Sequence, residues 1–233
     1  MNDDDPVLDP LARIAEALRS SCACSERSAQ LALYVAIGDS FTAGTGCDAG
    51  LAWPERLTRG LRRGSPSLEL RNLAVEGATS DAVLGQLVEA VELEPDLVTV
   101  VCGANDVLLS TRPDPHRYAR NLASIFRRLG HSIPGARIMT ATSPERWDFL
   151  PLGPRTRDRV ESGILRFNRA TRGIARAYGV PCLDVAGHPG LSRRENFARD
   201  GLHPSALGHA RAARGFAELL RDGHGISNQG GLL

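Results

Sequence analysis

A candidate nucleophile and the groups that could activate it stand far apart in the sequence. Ser40 follows Gly38 and Asp39 at the end of an apolar run, whereas Asp200 and His203 lie near the C-terminus. A serine hydroxyl becomes a good nucleophile when a base takes its proton, and histidine suits this task because it titrates near neutral pH. A carboxylate on the other ring nitrogen fixes the tautomer and stabilises the imidazolium. The three residue types therefore predict nucleophilic catalysis by Ser40, with His203 as base and Asp200 as its acid partner.

The segment Asp200-Gly201-Leu202-His203-Pro204 supplies the acid and the base within one tight turn. Gly201 permits the turn because glycine adopts backbone conformations that other residues avoid. Pro204 restricts the exit from the turn, and Ser205 is a typical N-cap for the helix that follows. One local structure could thus orient both groups.

Attack on a carbonyl creates an oxyanion, which requires hydrogen-bond donors that already point at it. Three candidates are the N–H of Ser40, the N–H of Gly77 and the side-chain amide of Asn105. Gly77 carries no side chain to block approach, and Asn105 donates without charge. Loss of one such donor typically costs about 3–4 kcal/mol of transition-state stabilisation.

Three further polar residues near these positions are predicted to brace the loops through hydrogen bonds to the backbone. They are Asp39, Asn72 and Asp106. Each candidate also has an ordinary structural interpretation: Ser40 as a turn serine, Gly77 as a turn glycine, and Asp200 as a turn cap.

Apolar runs alternate with amphipathic segments along the chain, a pattern typical of strands alternating with helices. The predicted strands are Leu31–Ile37, Leu68–Leu73, Leu97–Cys102, Arg137–Thr142 and Val180–Asp184. The predicted helices are Pro54–Arg63, Thr79–Val91, Pro115–Leu129, Arg155–Tyr178 and Ser205–Leu220. Such alternation predicts a parallel sheet covered on both faces. Ligands bind such sheets beyond the C-terminal ends of the strands, and the candidate residues follow strands, so we expect them to meet at one rim.

The ends of the chain differ in composition from the part between them. Residues 1–30 are expected to be an N-terminal extension with one short amphipathic helix, residues 31–222 the catalytic domain, and the Gly-rich residues 223–233 a flexible tail.

The overall composition excludes several function classes. The chain has 233 residues and a formal net charge of +1, so neither nucleic acid nor an anionic membrane is favoured as a partner. All basic residues are arginine, which excludes lysine Schiff-base chemistry. No apolar run is long enough to span a membrane. Five cysteines without a secretory signal are typical of free thiols in the cytoplasm, and the pair Cys22 and Cys24 lacks further metal ligands. We therefore expect a cytoplasmic protein without metal or cofactor; its oligomeric state is left open.

Four segments together resemble the SGNH (GDSL-type) hydrolase family, in order: residues 38–42 (GDSFT), 72–79 (NLAVEGAT), 103–106 (GAND) and 200–205 (DGLHPS). In the first segment, Phe41 and Thr42 stand where the Gly-Asp-Ser-Leu motif that gives the family its name has leucine. The resemblance implies a flavodoxin-like three-layer α/β/α sandwich with a five-stranded parallel sheet. It also implies metal-free hydrolysis of small-molecule carboxylic acyl esters through an acyl-serine, with Ser40, Asp200 and His203 as triad and Ser40, Gly77 and Asn105 as oxyanion donors. Nothing in the family maps onto residues 140–154.

Several alternatives remain open at this stage. The same residues would serve an acyltransferase, a thioesterase or a deacetylase of a carbohydrate or natural product. Cys47 or Cys102 could replace the serine as nucleophile, and residues 44–46 could bind a phosphorylated ligand without catalysis. Trp53 is expected in the core, whereas Trp147, within the Pro144–Pro154 segment, is interpreted as part of a rim that contacts substrate.

Overall fold

The structure is a computed structural model in which residues 30–222 are described. The helix expected within residues 1–30, the cysteines Cys22 and Cys24, and the tail at 223–233 lie outside the described residues.

Five parallel strands form one sheet in the order β2-β1-β3-β4-β5. They are β1 (Leu33–Gly38), β2 (Glu69–Asn72), β3 (Leu97–Val101), β4 (Arg137–Ala141) and β5 (Cys182–Leu183). The expected five-stranded parallel sheet is confirmed, and its order is the flavodoxin-like one. The central strands β1 and β3 are buried on both faces, which explains their nearly continuous apolar sequences.

Seven α-helices connect or follow these strands in residues 30–222. They are α1 (Ser40–Ala43), α2 (Trp53–Leu61), α3 (Ser80–Glu92), α4 (Ala104–Leu108), α5 (Pro115–Ser132), α6 (Pro154–Tyr178) and α7 (Ala206–Asp222). The five longer helices were all predicted to within three residues at each end. The short helices α1 and α4 were not, because four or five residues cannot display helical periodicity.

Two apolar clusters hold helices against the two faces of the sheet. Alternate residues of β1 point to opposite sides, so that Val35 joins one cluster and Tyr34 the other. The first cluster packs α3, α5 and α6 on one face, and the second packs α2 and α7 on the other. The molecule is therefore a three-layer α/β/α sandwich, as expected.

Strand β5 is shorter than the predicted Val180–Asp184. At its C-terminal end, hydrogen bonds to side chains take the place of backbone pairing with β4. The N–H of Val185 donates to the Thr142 hydroxyl at 2.9 Å, and the same hydroxyl donates to Asp184 at 2.9 Å. Arg172 from α6 pairs with both oxygens of that carboxylate at 2.8 Å. The end of β5 is thus tied to β4 and α6 by charge-assisted hydrogen bonds.

The chain reverses its direction of strand addition between β1 and β3, which are neighbours in the sheet. A crevice at such a point is the usual ligand site of doubly wound sheets. Residues Asp39 and Ser40 follow β1 directly, and Asn105 lies in the helix after β3.

No helix within residues 30–222 combines the length and apolar character that crossing a bilayer requires.

Candidate active site

Ser40 is held at the start of a single helical turn directly after the sheet. Asp39 caps α1, and its Oδ1 accepts a hydrogen bond from the N–H of Phe41 at 3.0 Å. The N–H groups of Gly44 and Thr45 both donate to the carbonyl of Ser40, at 3.2 and 3.1 Å. Two of the three N–H groups considered for phosphate binding at residues 44–46 are therefore already used within the turn.

The structure brings Ser40, His203 and Asp200 into one chain of hydrogen bonds. The Nε2 atom of His203 lies 3.0 Å from the Ser40 Oγ, and its Nδ1 lies 2.6 Å from the Asp200 Oδ2. With Nδ1–H donated to the carboxylate, Nε2 is left to accept the serine proton. Ser40 is 5% exposed and His203 is 8% exposed, so their contact is largely shielded from water.

Asp200 is fixed by its own turn. Its Oδ1 accepts hydrogen bonds from the N–H groups of Leu202 at 2.9 Å and His203 at 3.0 Å. Burial alone would raise the pKa of the Asp200 carboxyl, but the His203 side chain and these N–H groups outweigh it and lower the pKa below its ordinary value. The carboxyl group is therefore ionised at neutral pH, where it can accept the hydrogen bond from the His203 ring.

Gly201 allows this turn to pack against the loop that follows β4. Its φ is +73°, and a Cβ built there would lie 2.3 Å from the carbonyl oxygen of Phe149. No other residue type fits this position without moving one of the two segments. On the other side, the N–H of Ala198 donates to the carbonyl of His203 at 2.8 Å. The turn of residues 200–204 is thus held between two loops.

The three candidate oxyanion donors lie around the same end of β1. Neither the N–H of Ser40 nor that of Gly77 makes a hydrogen bond with any residue in the described range 30–222. Gly77 has a φ of +75° and no atom within 4 Å of the place a Cβ would take. The amide nitrogen of Asn105 donates one hydrogen to the carbonyl of Ala78 at 3.1 Å, and its second hydrogen is available to a ligand.

Asp106 joins the segment carrying Gly77 to the helix carrying Asn105. Its two oxygens accept hydrogen bonds from the N–H of Ser80 at 2.8 Å and from the Ser80 hydroxyl at 2.6 Å. The Asn121 amide donates to that hydroxyl at 2.9 Å. Ser80 is therefore a bridge rather than the N-cap of α3; Thr79 occupies the cap position without a side-chain hydrogen bond.

Asn72 connects the loop after β2 to the helical turn that contains Ser40. Its amide nitrogen donates to the carbonyl of Thr42 at 2.9 Å, and its Oδ1 accepts from the N–H of Ala74 at 3.2 Å. The loop after β2 is consequently anchored beside α1.

Two carboxyl groups near the candidate oxyanion donors are removed from water, that of Asp39 almost fully and that of Asp106 partly. Asp39 is 1% exposed, and its Oδ2 has no hydrogen-bond partner among the described residues. Burial raises the pKa of Asp39 to about 7, the N–H of Phe41 opposes this rise, and the nearby charge of Asp106 adds to it. Burial also raises the pKa of Asp106, against the hydrogen bonds from Ser80. Negative charge is thus disfavoured at this side of the serine.

A cysteine nucleophile is not supported by the geometry. Both ring nitrogens of His203 are already engaged, with Ser40 and Asp200. Cys102 is buried, and burial raises the pKa of its thiol well above the ordinary value. Burial likewise raises the pKa of Cys47, whose sulfur donates to the carbonyl of Gly44. Neither sulfur is therefore held as the reactive thiolate.

The predicted location is confirmed for Trp53 and not for Trp147. Trp53 is in the core, as expected, with its ring stacked on Phe216 at a centroid distance of 4.4 Å. The interpretation of Trp147 as part of a substrate rim was wrong, because it is 1% exposed and packs in the first apolar cluster. Arg157 from α6 donates to the carbonyl oxygens of Trp147 and Leu150, at 2.6 and 2.9 Å, and so folds this loop inward.

Two features beside the site carried no clear sequence signal. The ring of Phe41 lies 5.8 Å from that of His203, centroid to centroid. A cavity of about 210 Å³ lies next to Phe41, enclosed partly by residues 188–197, where no periodic pattern is visible.

Among the described residues, no group of three or more His, Cys, Asp or Glu side chains could hold a metal ion.

Solved structures with this architecture include several esterases. The lipase/acylhydrolase from Enterococcus faecalis is 22% identical with a TM-score of 0.66, over 84% of this chain and 99% of that one. The psychrotrophic esterase EstA from Pseudoalteromonas sp., in a structure inhibited by monoethylphosphonate, is 18% identical with a TM-score of 0.65, over 82% and 97%. The acetyl xylan esterase AlAXEase is 16% identical with a TM-score of 0.64, over 80% and 98%. At these identities the likeness establishes the fold.

The sequence also matches a family model that covers most of the chain. The matched residues are 36–211, and the model describes a GDSL-like lipase/acylhydrolase family. The match includes all four segments on which the resemblance rested, from Gly38 to Ser205. The comparison with curated proteins found no match. The chain therefore belongs to the GDSL-like lipase/acylhydrolase family of ester hydrolases.

Proposed function

We propose that this ester hydrolase cleaves carboxylic acyl esters through an acyl-serine intermediate on Ser40, and that residues 31–222 form its catalytic domain. The observation that carries the proposal is the hydrogen-bond chain from the Ser40 Oγ through His203 to Asp200, with distances of 3.0 and 2.6 Å. Such a chain is what a serine nucleophile needs in order to lose its proton as it attacks.

In the first half-reaction, the Ser40 Oγ attacks the ester carbonyl carbon and its proton passes to the His203 Nε2. The carbonyl oxygen becomes an oxyanion that accepts hydrogen bonds from the N–H of Ser40, the N–H of Gly77 and the amide of Asn105. The carbon–oxygen bond to the alcohol then breaks, and the leaving oxygen takes the proton from His203. Asp200 accepts the Nδ1–H throughout and stabilises the imidazolium.

In the second half-reaction, water attacks the acyl-serine and gives its proton to the His203 Nε2. The tetrahedral intermediate collapses, the carboxylic acid leaves, and Ser40 recovers its proton from the imidazolium. These steps use no metal or cofactor. Asp39, Asn72 and Asp106 contact no reacting atom; they position the nucleophile turn and the donor loops.

The proposal is tested with a phosphonate ester that traps serine nucleophiles, p-nitrophenyl ethylphosphonate. We expect one adduct per chain in the intact mass, located on Ser40 by peptide mapping. Ser40→Ala should lose the adduct and lower kcat for p-nitrophenyl acetate by roughly 10⁵–10⁶-fold. The exposed Ser67→Ala variant serves as control. An adduct on another residue, or full turnover by a folded Ser40→Ala variant, would contradict the proposal.

Product analysis defines the acceptor. With an alcohol added in excess during turnover, hydrolysis predicts that the free acid remains the main product. Accumulation of the transferred ester would instead identify an acyltransferase that uses the same Ser40 intermediate.

A further inference from the structure

A partly enclosed cavity of about 210 Å³ lies between the sheet and α7, directly beside the candidate active site. Its inner surface is formed by the ends of three strands and one side of α7, through Val101, Ala141, Leu183, Ala212, Gly215 and Phe216. All of these are apolar or lack a side chain, so the inner surface offers dispersion contacts and burial rather than hydrogen bonds.

Several polar side chains on the cavity wall are already paired with other protein groups. Asp184 is held by both nitrogens of Arg172 and by the Thr142 hydroxyl. Asn196 donates to the carbonyl of Gly190 at 2.6 Å and accepts from Arg211. These two side chains therefore offer few further hydrogen bonds to a hydroxyl-rich ligand, whereas an aliphatic chain requires none.

The cavity adjoins the reacting groups through residues that neighbour them in the chain. Phe41, which follows the nucleophile, forms part of the wall, and its ring lies 5.8 Å from the His203 ring. Leu202 and Pro204, on either side of the base, complete this part of the wall. These three side chains therefore place one wall of the cavity next to Ser40 and His203.

We infer that this cavity binds the unbranched aliphatic chain of the ester substrate, an inference that rests on the proposed function and names its substrate class. A cavity of about 210 Å³ has room for a chain of several methylene groups. The chain belongs either to the acyl group or to the alcohol, and both have the same chemistry. The preferred substrates are thus medium-chain esters rather than acetylated sugars.

Two ester series identify which part of the substrate enters the cavity. In one, the acyl chain of p-nitrophenyl esters grows from two to twelve carbons; in the other, acetates of straight-chain alcohols grow over the same range. We expect kcat/KM to rise by up to about fourfold per buried methylene in one series, and to level off once the chain fills the cavity. Flat profiles in both series would overturn the inference.

Two variants change the cavity in opposite directions. Ala212→Phe fills it and should lower the ratio of kcat/KM for the eight-carbon ester to that for the acetyl ester by at least tenfold. Leu183→Ala enlarges it and should move the optimum toward chains about two carbons longer. Leu207→Phe introduces the same side chain on the exposed side of α7, where residue 207 is 42% exposed, and should keep the wild-type ratio.

The outcomes separate this inference from the proposed function. If Ser40 is labelled by the phosphonate and the acetyl ester is hydrolysed, but neither variant changes the chain-length profile, then only the cavity assignment is wrong. If Ser40→Ala retains turnover, the proposed function itself fails. Thermal melting of each variant verifies that it is folded, and Leu183→Ala alone tests the assignment if Ala212→Phe does not fold.

Discussion

The two sides of Ser40 differ in how they treat negative charge. On the histidine side, the turn of residues 200–204 keeps Asp200 ionised, because hydrogen bonds outweigh burial and lower its pKa. The other side, which we call the oxyanion side, comprises Gly77, Asn105, Asp39 and Asp106. There, burial raises the pKa of Asp39 to about 7 and raises that of Asp106 as well.

This difference matches the charges that the proposed reaction would generate. In that reaction an imidazolium would form on the histidine side, where a fixed carboxylate would stabilise it. An oxyanion would form on the other side, where a second negative charge would oppose it. Hydrogen bonding to the protein thus controls the charge of one aspartate, and desolvation controls that of the other.

The largest expected effect comes from removing the charge on the histidine side. Asp200→Asn keeps an oxygen that can accept the turn hydrogen bonds but removes the carboxylate that stabilises the imidazolium. We expect kcat to fall on the order of 10³–10⁴-fold with little change in melting temperature. Steady-state kinetics of this variant and of the exposed Asp158→Asn control provide the measurement. A loss below tenfold would mean that the histidine side does not depend on charge.

Next in size is the loss of a neutral donor on the oxyanion side. Asn105→Ala should lower kcat by about 10²–10³-fold and leave KM nearly unchanged, because the amide acts on charge that develops only in the transition state. Asn121→Ala, which removes an amide from the outer end of the Ser80–Asp106 bridge, is the matched control. Equal losses in the two variants would show that Asn105 acts only through packing.

Asp39 provides a test through stability. Its pKa is 3.8 in an ordinary environment and about 7 in the fold, so the folded state binds more protons between these values. The contribution of Asp39 to stability should therefore fall as pH rises from 4 to 7, and Asp39→Asn should remove this loss. The difference in unfolding free energy between variant and wild type should grow by up to about 1.4 kcal/mol per pH unit. Denaturant titrations at pH 5 and 8 measure it; a constant difference would show that Asp39 stays ionised.

The smallest expected effect concerns His209, which is fully buried next to the histidine side. Its Nδ1 accepts from the N–H of Trp53 at 3.3 Å, and burial lowers the pKa of His209 to about 4. Because the unfolded chain binds this proton near pH 6.5, the contribution of His209 to stability should be lost as pH falls from 6.5 to 4, by up to about 1.4 kcal/mol per unit.

The measurement for His209 is a comparison of wild type with His209→Gln, which cannot titrate. The variant should show a shallower loss of unfolding free energy over this interval, whatever its stability at pH 8. Parallel curves for the two proteins would exclude His209 as the acid-sensitive group.

The sheet and the turn of residues 200–204 could be predicted because their signals are local. Apolar β-branched runs mark the strands, and Asp200 and His203 lie within one turn whose hydrogen bonds span three residues. The end of β5 could not be predicted, since it depends on Thr142 and Arg172, which are distant in sequence.

The oxyanion side was predictable only in its residue types. Nothing in the sequence reveals that Asp106 bonds to Ser80 or that Asn72 reaches Thr42, because these pairs are 26 and 30 residues apart. Trp147 was misassigned for a different reason. An aromatic residue in a proline-bounded loop belongs to no periodic pattern that would indicate whether its side chain is buried or exposed. The carbonyl contacts from Arg157 determine its direction.

The contact between Gly201 and the Phe149 carbonyl has a consequence for laboratory evolution of substrate range. The loop after β4 and the turn that carries the base touch backbone to backbone, without a side chain between them to absorb a change. Libraries that randomise residues 145–154 should therefore yield active clones whose altered loops keep the Phe149 backbone in place. Randomising residue 201 should return glycine almost exclusively among the survivors.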